Sequence, residues 1–219
     1  TRQWKETGQW NPYAESDDGT LILDTCLHAK LHSQYHTRFN RIQRDFCEES
    51  VQQKGYKSKN IRSNFRQMLL QKAAREGVTC KCIRCREVKD NVLKRYRFFV
   101  DRFEAAKGAE YYISAESADR VILYGFARLR LSQHNIKKWA LLRELHVYGN
   151  ICNIGDSNPN CVQHNGIGKQ LMAIAELYAR LNGYKEIGVI SGVGVRGYYR
   201  SLGYSYNNYG HYMFKQLTV

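Results

Sequence analysis

The chain has 219 residues, 43% of them hydrophobic and 25% charged, and its formal net charge is +14. That apolar content suits a sizeable core in one large domain or two small ones; no apolar run reaches the roughly 18 residues of a membrane span, and the N-terminus does not read as a secretory signal. Seven cysteines, at 26, 47, 80, 82, 85, 152 and 161, are then expected as metal ligands or free thiols rather than disulfides, in a reducing cytoplasmic or nuclear setting.

In chain order, LILDTCLHAKLHSQYHTRFNRIQRDF (21–46) reads as a helix followed by a short strand. Between Lys54 and Arg97 stand fourteen Lys/Arg against three acids, with Tyr56, Phe65, Tyr96, Phe98 and Phe99 in or beside the block. Such a block fits either a polyanion partner or a solvated basic surface. Within it, residues 55–77 predict a helix capped by Asn60, with Ile61, Phe65, Met68 and Leu69 as its apolar face and Gly77 as its stop. Cys80, Cys82 and Cys85 follow at C-x-C-x-x-C spacing. A loop can wrap three thiolates around one Zn²⁺, or leave them as free or part-buried thiols.

From Asn91 the pattern changes to strands. KRYRFFVDRFE and EYYISAES around the turn AAKGA predict a hairpin; DRVILYGFARLRL and ALLRELHVYG predict a third and a fourth strand. The loop 150–161 is rich in Asn, Gly and Ser and leads to Gln163-His164-Asn165-Gly166-Ile167-Gly168-Lys169. This Q-x-x-G-x-G run opens a helix with apolar residues at Ile167, Leu171, Ile174, Tyr178 and Leu181. A helix start carries unpaired N–H groups and a positive dipole end, and glycine lets a phosphate come close. The run is a candidate pyrophosphate cradle, or an ordinary loop-to-helix junction. A further strand at KEIGVIS (185–191) and the sequence GVGVRGYYRSLGY (192–204) complete the set.

Strand, Q-x-x-G-x-G, helix, strand and Tyr-x-x-Leu-Gly-aromatic in that order resemble the core of the GCN5-related N-acetyltransferase superfamily. RELHVYG, QHNGIG and VISGVGVRGYYRSLGY are more similar still to the acetyltransferase half of the Elongator protein three family, which modifies tRNA. The resemblance runs almost from end to end, with residues 1–50 similar to the last part of that family's radical S-adenosylmethionine half. The earlier three-cysteine cluster motif has no counterpart, since neither C-x3-C-x2-C nor C-x4-C-x2-C spacing occurs. A truncated form or a short homologue is expected, with no site of its own for radical chemistry; iron–sulfur cluster and S-adenosylmethionine belong to full-length members.

The resemblance implies an α/β (α+β) chain: a mixed central sheet flanked by helices, preceded by a basic helical segment and a metal-binding linker. The expected divisions are 1–77, 78–90 and 91–219. It implies zinc at Cys80, Cys82 and Cys85, with the fourth ligand open between Cys47, a histidine and water. It implies a tRNA surface containing Lys54, Lys57, Lys59, Arg62, Arg66, Lys72, Arg75, Arg84 and Arg86, and a loop 150–161 that restricts access to the donor. Acetyl-CoA is the implied donor. Its pyrophosphate would lie on Gln163–Lys169 and its pantetheine arm and carbonyl along Leu145, His146 and Val147. Tyr198 and Tyr199 are the candidate acids for the leaving thiolate, Tyr199 aligning with the superfamily tyrosine. His146 and His164 remain alternative proton acceptors. The implied function is acetyl-CoA hydrolysis on tRNA binding, supplying the acetyl group for carboxymethylation at C5 of the wobble uridine. Other Elongator subunits are implied partners. A protein-lysine acetyltransferase and a non-catalytic tRNA-binding module stay open as alternatives; the net charge of +14 argues against the first and the intact motifs against the second.

Overall fold

The computed structural model describes residues 7, 20–39, 65–89, 95–132, 139–149, 166–206 and 211–217. The strand expected before residue 46, the Asn60 cap, the loop 150–161 and Gln163–Asn165 lie outside the described residues. The chain forms two compact units, Thr1–Cys85 and Arg86–Val219, so the boundary falls inside the cysteine segment. No helix among the described residues is long and apolar enough to cross a membrane.

The first unit contains α1 (Thr20–Leu31), α2 (Phe65–Arg75) and most of a short helix, α3 (Ile83–Arg86). Leu27 of α1 meets Leu69 and Ala73 of α2 in a small apolar core, with Leu23, Cys26 and Val78 at its edge. The α2 face follows the predicted spacing: Phe65 and Leu69 are buried and Met68 half-buried. The helix stops at Gly77, where the Val78 N–H reaches back to the Ala73 carbonyl at 2.8 Å and satisfies one of the last-turn acceptors.

The second unit is built on a seven-stranded mixed sheet in the order β1-β2-β3-β4-β5-β7-β6. Its strands are β1 (Arg97–Glu104), β2 (Gly108–Glu116), β3 (Leu123–Ser132), β4 (Trp139–Val147), β5 (Glu186–Ile190), β6 (Ser205–Tyr206) and β7 (Tyr212–Gln216). β1 to β4 form an antiparallel meander that starts with the predicted hairpin. β5 lies parallel to β4, a pairing that needs a crossover, and α4 (Ile167–Leu181) supplies it. A 3₁₀ turn (Val193–Val195) and α5 (Arg196–Ser201) follow β5. The two last strands have no counterpart in the sequence reading. β6 is two residues long, and β7 takes its place only by pairing with β5.

The buried face of α4 differs from the predicted one. Ile167 and Leu171 are buried as expected, but Met172, Ala175 and Ala179 complete the stripe, while Ile174 and Tyr178 are half-buried and Leu181 is 71% exposed. Alanines let the helix axis come close to the sheet, so the contact line runs through the small residues and larger ones flank it. The helix covers Ile113, Ala127, Leu129 and Leu142 in one continuous core.

A second constraint holds the start of this unit. Glu116 is fully buried at the end of β2 and accepts from Arg86 Nη1 at 2.9 Å, Arg120 Nε at 2.8 Å and Ser114 Oγ at 2.6 Å. Arg120, at a left-handed φ of 60°, turns back to pair also with Asp101. Removing one member of a buried ion pair leaves the other charge unmet. Glu116→Ala is expected to cost roughly 3–5 kcal/mol in urea unfolding; a loss below about 1 kcal/mol would show that water compensates the two guanidinium groups.

Candidate functional site

The strands β4 and β5 pair only over Trp139–Leu142 and Glu186–Val189. At that point β4 carries a bulge: Leu129 of β3 faces Leu142, the next partner Arg128 faces Glu144, and Arg143 is left over. A bulge adds twist and bends its strand. Beyond it β4 stays paired with β3 as far as Val147, while among the described residues its ladder with β5 ends at Leu142.

The N-terminus of α4 lies at the same end of the sheet. Gly166 has φ 71°, a left-handed conformation that favours glycine, and no side chain caps the helix. Its carbonyl accepts from the Gln170 N–H at 3.1 Å. The amides of Ile167, Gly168 and Lys169 precede the first intrahelical donor, Gln170, as the leading N–H groups of a helix do. Ile167 is fully buried and fixes the turn; Lys169 is exposed beside it.

Gly168 is the point of closest approach. A Cβ there would lie 2.9 Å from Tyr198 Oη and 3.6 Å from Val147 Cγ2. Three elements thus converge on one glycine: the start of α4, the end of β4, and α5. The Tyr198 hydroxyl is shielded and has no hydrogen-bond partner among the described residues. Burial, with the neighbouring Tyr199, pushes its phenol up to about 12. It is therefore protonated at neutral pH and available as a donor.

Tyr199 occupies a different environment. It is 7% exposed, packs edge-on against Tyr204 with ring centroids 5.9 Å apart, and belongs to the central core. Burial raises its phenol as well. The two tyrosines were candidates together in the sequence; here the hydroxyl beside the helix start is that of Tyr198. His146 stacks near Phe126 (5.2 Å) and Tyr148 (6.3 Å), with Glu144 Oε2 3.7 Å from its Nε2, while Leu145 and Val147 pack against the core.

In the first unit the sulfurs of Cys80, Cys82 and Cys85 lie within 4.8 Å of one another. Cys82 is buried, Cys80 half-buried and Cys85 exposed. Hydrogen bonds from Cys82 and then Cys85 draw the Cys80 thiol down, and the same contact pushes the Cys82 thiol up. Three converging sulfurs, one of them readily deprotonated, fit a soft divalent ion. No further His, Cys, Asp or Glu joins them among the described residues, and Cys47 lies outside that set.

The basic candidates divide. Arg66, Arg75 and Arg84 are exposed. Lys72 is engaged by Asp24 and, at 3.6 Å, by Glu76. Arg86 departs from the sequence reading: it is 5% exposed and bound to Glu116, so it is a structural cation with no free face for a phosphate. Lys54, Lys57, Lys59 and Arg62 lie outside the described residues.

No family model matches the chain. It is 34% identical over 221 residues to the tRNA uridine(34) acetyltransferase of Dehalococcoides mccartyi, covering 92% of this chain and 45% of that one. It is 33% identical over 227 residues to Elongator complex protein 3 of Homo sapiens, covering 98% of this chain and 39% of that one. Among solved structures, the archaeal Elongator protein of Methanocaldococcus infernus with an N-terminal deletion superposes with a TM-score of 0.77 at 33% identity, over 99% of this chain and 51% of that one. The chain thus spans less than half the length of the curated relatives it matches. The mixed sheet with its crossover helix has the fold of that archaeal Elongator protein, and over nearly all of its own length the chain is similar to tRNA uridine(34) acetyltransferases and Elongator complex protein 3.

Proposed function

We propose that the chain is the acetyl-CoA-binding part of a tRNA uridine acetyltransferase. The observation that carries this reading is the convergence on Gly168 of the α4 start, the end of β4 at Val147 and the buried Tyr198 hydroxyl, which has no hydrogen-bond partner among the described residues. The coenzyme pyrophosphate lies on the amides from Gly166 to Lys169, with Gln163, His164 and Asn165 leading into them. The pantetheine arm runs along β4 at Leu145, His146 and Val147, which brings the thioester toward Tyr198. When tRNA binds, water adds to the thioester carbonyl and the C–S bond breaks to give acetate; the Tyr198 hydroxyl gives its proton to the departing thiolate and regains one from the proton the water loses. Joining the acetyl methyl carbon to C5 of the wobble uridine belongs to the radical half of full-length members. Tyr199 holds the ring of Tyr198 in place through their edge-on contact at 5.3 Å.

Zn²⁺ is held by Cys80, Cys82 and Cys85 and stabilises the cysteine loop. The tRNA backbone is met by Arg66, Arg75 and Arg84, by Lys72 through its shared charge, and by Lys54, Lys57, Lys59 and Arg62. Other Elongator subunits are the proposed protein partners. The Dehalococcoides mccartyi relative, named tRNA uridine(34) acetyltransferase, is a chain more than twice as long. Release of free coenzyme A from acetyl-CoA, measured with tRNA and separately with a histone-tail peptide, tests the reading; stimulation by the peptide alone would replace it with protein-lysine acetylation.

Three expectations follow from the geometry. Gly168→Val puts carbon into the space held by Tyr198 Oη and should lower acetyl-CoA affinity at least tenfold in calorimetry while the circular dichroism spectrum is kept; unchanged affinity would remove Gly168 from the donor site. Tyr198→Phe should cut tRNA-stimulated hydrolysis by about ten- to a thousandfold with acetyl-CoA affinity intact, whereas Tyr199→Phe should change turnover by less than about threefold. Equal losses in the two variants would mean that packing, not proton donation, is at stake. Reversing charge at Arg66 and Arg75 should weaken tRNA binding several-fold and flatten its salt dependence; an affinity insensitive to salt would exclude a phosphate-led interface.

A further inference from the structure

Lys30 is the least expected residue of the first unit. It lies on α1 with 5% of its surface exposed, fifty-five positions before Cys85. Its Nζ donates to Cys85 Sγ at 3.4 Å. Burying an ammonium costs several kcal/mol unless an anion meets it. Among the described residues no carboxylate pairs with Lys30; its hydrogen-bond acceptor there is a cysteine sulfur.

The surroundings hold this pair in register. Ser33 Oγ, buried one turn after Lys30, donates to the Lys30 carbonyl at 2.7 Å and accepts from the Lys81 N–H at 3.0 Å. The same hydroxyl lies 3.4 Å from Cys80 Sγ. The Ile83 N–H donates to the Thr37 carbonyl at 2.9 Å. The end of α1 and the cysteine segment are thus tied at several points beside the Lys30 to Cys85 contact.

We propose that Lys30 is the counter-ion of the metal complex formed by Cys80, Cys82 and Cys85, and that its N–H···S bond to Cys85 sets the affinity of that complex for zinc. The proposal rests on the metal reading given above. Three thiolates around a divalent ion carry one net negative charge, and one ammonium cancels it. The lysine gains the anion that its burial demands, and Cys85 gains a donor that fixes its sulfur and drains part of its charge. Lys30 is a positioning residue for the ligands and not itself a ligand, since its proton-bearing nitrogen offers no lone pair. With the charge already balanced, the complex accepts a neutral fourth ligand without leaving a buried charge unmet.

The test uses the whole chain and Zn²⁺, with affinity read by competition against a chromogenic chelator. Lys30→Met keeps the length and burial of the stem and should lower zinc affinity by about 10- to 100-fold; Lys30→Arg, which restores the charge and the donors, should recover most of it. In the cobalt-substituted protein the sulfur-to-metal charge-transfer band should move to lower energy in Lys30→Met, because an unbonded thiolate gives up its electron more readily. Should Lys30→Met fail to fold, Lys30→Gln makes the same comparison with a neutral side chain. Wild-type protein that binds no zinc would sink the metal reading itself. Wild-type binding with an unchanged affinity and cobalt band in the variant would overturn the role of Lys30 alone.

Discussion

The absence of one side chain, at Gly168, is what the arrangement of the acetyltransferase-like unit depends on. With no Cβ there, the first turn of α4 can rest against Val147 of β4 and under the hydroxyl of Tyr198. That proximity brings the start of α4, the end of β4 and α5 together. The phenol, protonated at neutral pH in any case, is pushed further up to about 12 by burial and the neighbouring Tyr199. A larger residue would separate the three elements and return each to an ordinary surface.

The end of the β4–β5 ladder beside this contact has its own cause. β4 and β5 run together for four residues and then part where β4 bulges at Arg143. A parallel pair joined through a helix has a fixed origin but no requirement to stay paired to its end. The bulge falls where the described ladder with β5 ends, while β3 holds the other edge of β4 as far as Val147.

Buried charge is handled differently in the two units. In the second, Glu116 is met by two guanidinium groups and a hydroxyl, a closed set in which every member has a partner. Arg86 belongs to that set, which is why a residue from the most basic stretch of the chain is withheld from the surface. In the first unit the buried cation Lys30 faces sulfur instead of carboxylate. Thiolates supply the counter charge only when they are deprotonated, and a metal ion is what keeps several of them so at once.

Much of this was legible in the chain itself. Period-two segments marked the first four strands and the fifth; Q-x-x-G-x-G marked the helix start; C-x-C-x-x-C marked a cluster whose sulfurs do converge. These are local signals, and local geometry made them reliable: alternation follows from the pleat, and a glycine pair before a helix from the need for open amides. Which tyrosine of the adjacent pair turns toward the helix start, which face of α4 is buried, and which arginine is lost to an internal ion pair were decided only by the tertiary structure. Tyr198 and Tyr199 are chemically identical, and their surroundings differ because α5 points successive side chains about 100° apart, one to the core and one to Gly168. The approach of α4 to the sheet chose alanines over the larger residues that hydrophobicity favours. Arg86 and Lys30 acquired their partners from strand and loop positions far along the chain, and no spacing rule encodes a charge whose counter-ion is set by folding.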